Sequence, residues 1–477
     1  MKTYIPLFLL ALSAVTVSMA QQADSTMVGR GAGVPNKTQK VSIKPYGFVR
    51  NYLVFDSRRA VTVCGGDYIM IPYDEDWNIP ENAVTGFVLP EGSEERFDRN
   101  ATPQSHFQAL SSRIGVELHG PLLLGANSSG KLEGDFAGFG TNNTVLRLRL
   151  AYVRLEWECG RGIARGEANS LAGGSSNRET STCSVRHSLL IGQDWHPLSG
   201  NIMPEVLGMA AGAPFRPHSR TPQVRYELEH GMLRLMAAAM YQYQFTTPGP
   251  AGESTQYANE SLVPELFLGV GLRNDKLYAQ LGADFSSFYV RETMNALPDG
   301  TPTAAPYQFH GRVNSLSPTL YFQYAPGLFS LKMRSTLGQN LGHLTMLSGY
   351  ARVLADGDPS TWHYKPLTNF STYVDLAYGK RWRTNLLLGY MKNLGLADGY
   401  SIDADAIFMK KGITNLNSIY RIAPSISFNT KAINIGMEYE WTAATYGDLQ
   451  PDGTVANDDN LRQVSNHRIC LLVKYNF

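Results

Sequence analysis

Residues 460–477 form the last stretch of the chain, NLRQVSNHRICLLVKYNF, and alternate regularly between two kinds of side chain. In an extended strand, successive side chains point to opposite faces. One face would then carry Ile469, Leu471, Val473, Tyr475 and Phe477, and the other Arg468, Cys470, Leu472, Lys474 and Asn476. A strand with one apolar face fits a soluble sandwich as well as a membrane barrel, so the rest of the chain must discriminate between the two.

The same two-residue period recurs along the chain. It is clear in MLRLMAAAMYQYQF (232–245), LFSLKMRSTL (328–337) and KAINIGMEYEW (431–441). Each apolar face is aliphatic in the middle and tends to end in an aromatic residue. This arrangement is typical of a lipid-facing band bordered by aromatic girdles, whereas a soluble core gives no reason to place aromatics at strand ends.

The connections between these segments alternate in length. From Thr221 onward, short turns such as His230-Gly231, Asn274-Asp275 and Pro326-Gly327 alternate with long connections, among them residues 293–314. Outer-membrane barrels have short periplasmic turns and long extracellular loops. We therefore predict an all-β fold, a transmembrane antiparallel β-barrel of about 16 strands that spans residues 41–477.

The first twenty residues have the features of a secretory signal peptide. Lys2 precedes an apolar run, and Ser18-Met19-Ala20 forms a small-x-small cleavage signature. Residues 1–20 are predicted to be removed on export, which leaves a short polar segment at 21–40. Since no later apolar run approaches the roughly 18 residues of a spanning helix, we expect any membrane crossing to be made by strands, in the bacterial outer membrane.

Charge and cysteine content narrow the possible functions. The chain has 42 Lys and Arg against 41 Asp and Glu, which gives no argument for nucleic-acid binding. No cofactor motif and no histidine pair with zinc spacing is present, so we expect neither a cofactor nor a metal. Export permits disulfides, and we predict one between Cys159 and Cys183 across an inserted periplasmic turn, 159–183. Seven acidic loop residues could bind Ca²⁺, although solvated loops are favoured: Asp398, Asp403, Asp405, Asp448, Asp452, Asp458 and Asp459.

A barrel of about 16 strands leaves an aqueous lumen, and selectivity would come from its lining. The residues that strand parity predicts to face inward include six arginines: Arg113, Arg147, Arg149, Arg225, Arg234 and Arg334. The third long loop, residues 196–220, is a candidate constriction loop and carries Arg216, His218 and Arg220. If it folds inward, its two guanidiniums could hold a carboxylate or phosphate; the alternative is a rim loop with solvated arginines. Acids share the lumen, but we predict a preference for anions.

Several blocks of sequence resemble a known family. KPYGFVRNYLVFDSR (44–58), SRIGVELHG (112–120), KLEGDF (131–136), LRLAYVRLEW (148–157), LLIGQDWHPL (189–198) and SRTPQVRY (219–226) are similar to the DcaP-like porins. The resemblance covers roughly the first half. It implies an outer-membrane channel for dicarboxylate-type anions that assembles as a homotrimer. Residues 21–40 lack the heptads of the family's coiled-coil extension, so a trimer would form through the barrel walls. Phe477 also resembles the terminal aromatic signature of outer-membrane proteins.

Three functions are compatible with such a barrel. The favoured one is a porin for passive diffusion of small hydrophilic solutes, with outer-membrane lipid around it and no enzymatic activity. A surface adhesin or structural anchor would have a closed lumen. A lipid-active enzyme would bring Ser and His together on the lipid face, and such groups need not be adjacent in sequence.

Overall fold

The computed structural model describes residues 41–63, 68–77, 98–138, 145–159, 185–200, 202–209, 211–296, 302–354, 362–396, 400–456 and 460–477. The predicted signal peptide and the polar segment 21–40 lie outside the described residues. So does Cys183, which leaves its predicted disulfide with Cys159 untested.

The described residues form 22 strands, numbered here in chain order. They are β1 (Ser42–Asp56), β2 (Ala60–Val63), β3 (Tyr68–Pro72), β4 (Gln104–Gln108), β5 (Arg113–Leu123), β6 (Ala126–Gly138), β7 (Val145–Cys159), β8 (Val185–Trp195), β9 (Arg220–His230), β10 (Leu233–Met240), β11 (Glu265–Arg273), β12 (Leu277–Ala296), β13 (Pro302–Tyr324), β14 (Phe329–Gln339), β15 (Gly349–Leu354), β16 (His363–Pro366), β17 (Thr368–Gly379), β18 (Trp382–Gly395), β19 (Ser401–Met409), β20 (Leu416–Asn429), β21 (Ile433–Tyr446) and β22 (Arg462–Asn476).

Helical segments are short. The α-helical turns are Pro197–Gly200 and Gln256–Asn259, and the 3₁₀ turns are Gly342–Leu344 and Lys410–Gly412. Within the described parts of the chain, no helix has the length and apolar character needed to cross a membrane.

Seventeen of the strands form one closed antiparallel sheet, in which the barrel strands lie side by side in chain order, and β2, β3, β15, β16 and β19 belong to smaller sheets. β4 and β5 both pair with β1 and form one barrel strand interrupted at 109–112. The barrel therefore has 16 strands, as predicted. The ring closes where β22 pairs with β1, from Phe48 opposite Asn476 to Asp56 opposite Arg468. We call this pairing the seam.

The two faces of the wall are the reverse of those in a soluble protein. On β22, Val473 is 52% exposed and points outward, whereas Leu472 is 5% exposed and points into the barrel. Large apolar side chains lie on the outside of the barrel strands, and aromatic pairs such as Trp382 and Phe428, with ring centroids 5.0 Å apart, lie at strand ends. Charged residues such as Arg334 and Asp284 lie buried on the inside. This distribution fits a lipid-facing exterior and a polar interior.

The extracellular side contains more β-structure than the sequence predicts. The sequence predicts a long connection at 293–314, and this prediction is wrong for most of these residues. β12 continues to Ala296 and β13 already begins at Pro302. These extensions pack against a separate sheet of β15, β16 and β19. Phe309 of β13 lies 5.1 Å from Tyr364 and 6.2 Å from Trp362, measured between ring centroids. Aromatic packing between segments far apart in sequence thus keeps the strands paired.

At the seam, a glycine makes room for the last residue. Gly47 and Phe477 exchange backbone hydrogen bonds of 3.1 Å, and the Phe477 ring covers Gly47. A Cβ atom at position 47 would lie 2.6 Å from Phe477 Cζ and from the Arg113 carbonyl oxygen.

We predict that Gly47→Ala destabilises the folded barrel by about 1–3 kcal/mol, because the methyl group overpacks this contact. The measurement is the urea midpoint of unfolding in detergent, followed by heat-modifiable gel mobility. The control is Gly134→Ala on β6, where the nearest atoms to the new Cβ lie at 3.3 and 3.4 Å. Equal midpoints for both variants would contradict the role of Gly47.

Candidate functional site

The candidate constriction loop, residues 196–220 and called the constriction loop below, has its described residues inside the barrel. It leaves β8 after Trp195 and returns to β9 at Arg220. A hydrogen bond of 3.1 Å from the His196 amide to the Ser219 carbonyl joins its two ends. The Ser219 amide also donates to Ser199 Oγ at 3.0 Å. Most of its described residues are buried. The loop therefore enters the lumen as a closed unit with a fixed base.

The middle of the loop is bonded to the wall at the seam and next to it. The amides of Leu207 and Gly208 donate to the Glu438 carboxylate of β21, at 2.6 and 3.1 Å. The Leu207 carbonyl accepts a 2.8 Å bond from Arg50 Nη2 of β1. The loop therefore crosses the lumen from the β8–β9 side to the seam.

Glu205 ties the loop to a second part of the wall. Its carboxylate accepts hydrogen bonds from Lys332 Nζ at 2.9 Å and Arg383 Nη2 at 2.8 Å, and its amide donates to Asp375 at 3.1 Å. Burial alone would raise the pKa of Glu205, but the hydrogen bond from Arg383 and the charge of Lys332 outweigh it and lower that pKa to about 2. The attachment is fully present above the ordinary glutamate pKa of 4.5 and is lost only as the pH falls towards 2.

Apolar side chains of the loop pack where the wall is thinnest. Phe215 lies against Gly389 of β18, and Leu207 lies against Gly436 of β21. A Cβ atom would be 2.5 Å from the Phe215 ring at position 389, and 2.6 Å from Leu207 Cδ1 at position 436. Glycine is required at these two points because the loop approaches the wall too closely for any side chain.

The predicted trio on the loop is buried. Arg216 donates to the Ser199 carbonyl at 2.8 Å, to His218 Nδ1 at 2.8 Å and to the Ala211 carbonyl. Arg220 Nε donates to Gln244 at 2.9 Å, and its guanidinium lies 4.7 Å from the Trp195 ring centroid. Arg216 and Arg220 are 0% and 1% exposed. Both guanidiniums are therefore shielded from solvent, but their positive charges still act on this side of the lumen.

The predicted strand arginines point inward, and most of them pair with acids. Arg147 binds Asp135 through two bonds of 2.9 and 2.8 Å, and Arg149 bridges Glu133 and Asp135 at 2.8 and 2.5 Å. Arg113 lies 3.4 Å from Glu133. These three arginines and two acids form one network on β5, β6 and β7.

The remaining three predicted residues lie on the next strands. Arg225 bonds Asp194 at 2.8 Å, and Arg234 bonds Glu227 at 2.5 Å. Arg334 is 0% exposed and donates to the carbonyls of Leu198 and Ile202, under the first turn of the loop. The structure thus gathers all nine predicted residues inside the barrel, but in several networks.

Burial and a positive electrostatic field from nearby arginines both act on His218 at the end of the loop. Burial and the charges of Arg216, Arg220, Arg149 and Arg147 hold the pKa of His218 well below its usual value. His218 is therefore neutral at physiological pH. The same field acts on a solute that passes this side of the constriction.

A cationic group at the seam was not among the residues predicted from the sequence. Arg50 and Lys474 lie directly opposite each other in the β1–β22 register, and both point inward with part of the side chain exposed. Lys474 Nζ and the Arg113 guanidinium both contact the Phe48 ring, at 4.4 and 4.9 Å from its centroid. In the parts of the chain that the structure describes, neither Arg50 nor Lys474 forms an ion pair with a carboxylate. Strand parity alone could have found this pair once the seam register was assumed.

A buried cluster of acids and histidines was also missed, because its members are far apart in sequence. His196 Nε2 lies 3.1 Å from Glu265 and 3.7 Å from Asp284, and His343 Nε2 lies 2.9 Å from Glu265. His196, Glu265 and Asp284 have the residue types and spacing of a metal site. However, the Leu198 amide donates to His196 Nδ1 at 3.1 Å, which assigns the ring proton to Nε2, the nitrogen a metal would need.

Comparison with known proteins agrees with this architecture. The outer membrane channel DcaP of Acinetobacter baumannii has a similar structure, with a TM-score of 0.56 and 16% sequence identity over 94% of this chain and 100% of that chain. The chain has a porin fold. The resemblance to DcaP-like porins expected from the sequence blocks is thereby confirmed at the level of the fold. No family model and no curated protein matches the sequence.

Two further structures with the porin fold are less similar. Outer-membrane expressed OmpT of Vibrio cholerae has a TM-score of 0.47 and 10% identity, over 92% of this chain and 99% of that chain. An anion-selective porin from Comamonas acidovorans has a TM-score of 0.47 and 11% identity, over 92% of this chain and 100% of that chain. Similarity at this level carries no weight for function.

We predict that Gly389→Ala enlarges the pore of this porin fold. The added methyl group collides with the Phe215 ring, so the loop must move away from β18, and single-channel conductance in planar bilayers should rise. The double variant Phe215→Ala/Gly389→Ala supplies the control, since the three atoms nearest to the new Cβ all belong to the Phe215 ring. Conductance of the double variant should equal that of Phe215→Ala alone; an additive effect of the two changes would argue against this contact.

Proposed function

We propose that the protein is an outer-membrane porin for passive diffusion of small hydrophilic solutes, with a preference for anions such as dicarboxylates. The observation that carries the preference is the Arg50–Lys474 pair at the seam. Like charges directly opposite each other on a sheet are unfavourable, and each of these two lacks an ion pair with any carboxylate among the described residues. Such a pair is best explained by a need for positive charge in the lumen.

The position of the pair supports the same function. Arg50 bonds the middle of the constriction loop through the Leu207 carbonyl at 2.8 Å. The cationic group therefore lies where the loop meets the wall, at the narrow part of the lumen. A carboxylate that reaches it can accept hydrogen bonds from ammonium and guanidinium donors, while the low-dielectric walls concentrate the field. Arg147, Arg149, Arg216 and Arg220 extend the positive side towards β7 and β9.

We also propose that the barrel assembles as a homotrimer in the outer membrane. The outer face of β9 to β12 has an apolar groove of about 620 Å³, lined by side chains that include Leu235, Ala237, Leu268 and Ala283. The small alanines between larger leucines leave room for side chains from the wall of a neighbouring barrel. Sedimentation equilibrium in matched-density detergent should give three times the monomer mass; a monomer in every detergent tested would contradict a stable trimer.

The anion preference is tested by reversal potentials of reconstituted channels in a tenfold salt gradient. The wild-type potential should have the sign of anion selectivity. We predict that Lys474→Glu lowers the anion-to-cation permeability ratio by about twofold or more, because it reverses one charge at the constriction. Arg381→Gln, in an exposed turn beside Phe428, is the control and should leave the ratio unchanged.

Cation selectivity of the wild type, or equal effects of the two variants, would contradict a role of the seam in selection. Absence of channel steps from correctly folded protein would instead favour the adhesin or anchor function.

A further inference from the structure

We propose that His196 is a positioning residue that holds the first turn of the constriction loop only in its neutral form, so that mild acid loosens the loop. The effect on conductance rests on the proposed channel, whereas the effect on the loop itself does not. The inference is independent of anion preference.

The hydrogen bonds around His196 admit one protonation state. A backbone amide is always a donor, so the 3.1 Å bond from the Leu198 amide makes Nδ1 an acceptor. Nε2 then carries the only ring proton and donates it to Glu265 at 3.1 Å. A second proton could bind only at Nδ1, where it would face the Leu198 N–H.

Among the described residues, four charged or titratable side chains surround His196. Glu265 of β11 and Asp284 of β12 approach Nε2 at 3.1 and 3.7 Å. His343 of the Gly342–Leu344 turn bonds both oxygens of Glu265, at 2.9 and 3.1 Å. Arg334 of β14 lies under the same turn and bonds the Leu198 carbonyl. All five side chains are buried.

These neighbours leave a buried ring that resists protonation. Burial lowers the pKa of His196, the charges of His343 and Arg334 lower it further, and Glu265 only partly offsets them. When the loop leaves the wall, the ring becomes solvated and returns towards the ordinary pKa of about 6.5. The released loop therefore binds a proton more readily than the bound loop. As the pH falls below about 6.5, the equilibrium shifts towards release.

The first turn matters because the loop is attached through its carbonyl groups. The Pro197 carbonyl accepts a 3.0 Å bond from Tyr321, Leu198 accepts from Arg334, and Ser199 accepts a 2.8 Å bond from Arg216. Loss of the hydrogen bond from the Leu198 amide to His196 disturbs Leu198, which lies between the attached residues Pro197 and Ser199. The displacement would then spread to Arg216, which joins the first turn to the end of the loop.

The test is hydrogen exchange of the folded protein in detergent at pH 7.5 and 5.5, corrected for the intrinsic pH dependence of exchange. The wild type should lose up to about tenfold of protection in the segment 197–200, the change expected for one proton over one pH unit below 6.5. His196→Gln should show no such loss, since its amide can accept from Leu198, donate to Glu265 and never titrate. Open-channel noise should follow the same pattern.

Two further histidine variants complete the design. His343→Gln removes the neighbouring imidazole, and His363→Gln removes one on the extracellular sheet; both should keep the acid response. His196→Asn replaces His196→Gln if the latter lacks the heat-modifiable mobility of a folded barrel. The inference is wrong if the wild type shows no loss of protection, if His196→Gln keeps the loss, or if His343→Gln alone abolishes it. Missing channel activity with the expected exchange pattern would overturn the proposed porin and leave this inference standing.

Discussion

The structure depends on one constraint: a strand inside a membrane must find a hydrogen-bond partner on both of its edges. The seam between β1 and β22 meets that constraint for the two strands that would otherwise have free edges. Its register also fixes which side chains of the two terminal strands face inward. Arg50 and Lys474 are neighbours because Phe48 is paired with Asn476 and not with a residue one position away. The strand pairing that closes the wall thus also places the charges of Arg50 and Lys474 next to each other in the lumen.

The lumen imposes a second constraint of the same kind. A loop without regular secondary structure carries many unpaired carbonyls and amides into a space between walls. Wall arginines supply much of what is missing: Arg334 bonds Leu198 and Ile202, and Arg421 bonds Ala213 at 2.7 Å. Glu438 does the same for two amides. Part of the charge in this lumen therefore supports the loop and is not available to solutes.

The strands could be predicted from the sequence because their signal is local. A two-residue period and alternating connection lengths gave 16 strands and the correct inward parity for Arg234 and Arg334. The uses of those residues could not be predicted, because they depend on contacts such as Arg334 with Leu198, 136 positions apart. The contact of His196 with Glu265 could not be predicted for the same reason. Nor could the packing of the extracellular sheet against the extended ends of β12 and β13. The sequence left open whether the loop that carries Arg216 and Arg220 lies inward or at the rim, because the burial of these residues follows from packing that no local pattern encodes.

The attachment points of the constriction loop have a consequence for the order of folding. The loop lies in the first half of the chain, yet its contact glycines, Gly389 and Gly436, and its acceptor Glu438 belong to β18 and β21. Contacts of such long sequence separation form late, since the intervening chain must first be ordered. An assembly intermediate that lacks the last strands therefore cannot attach the middle of the loop, and the passage takes its final shape only as the cylinder is completed.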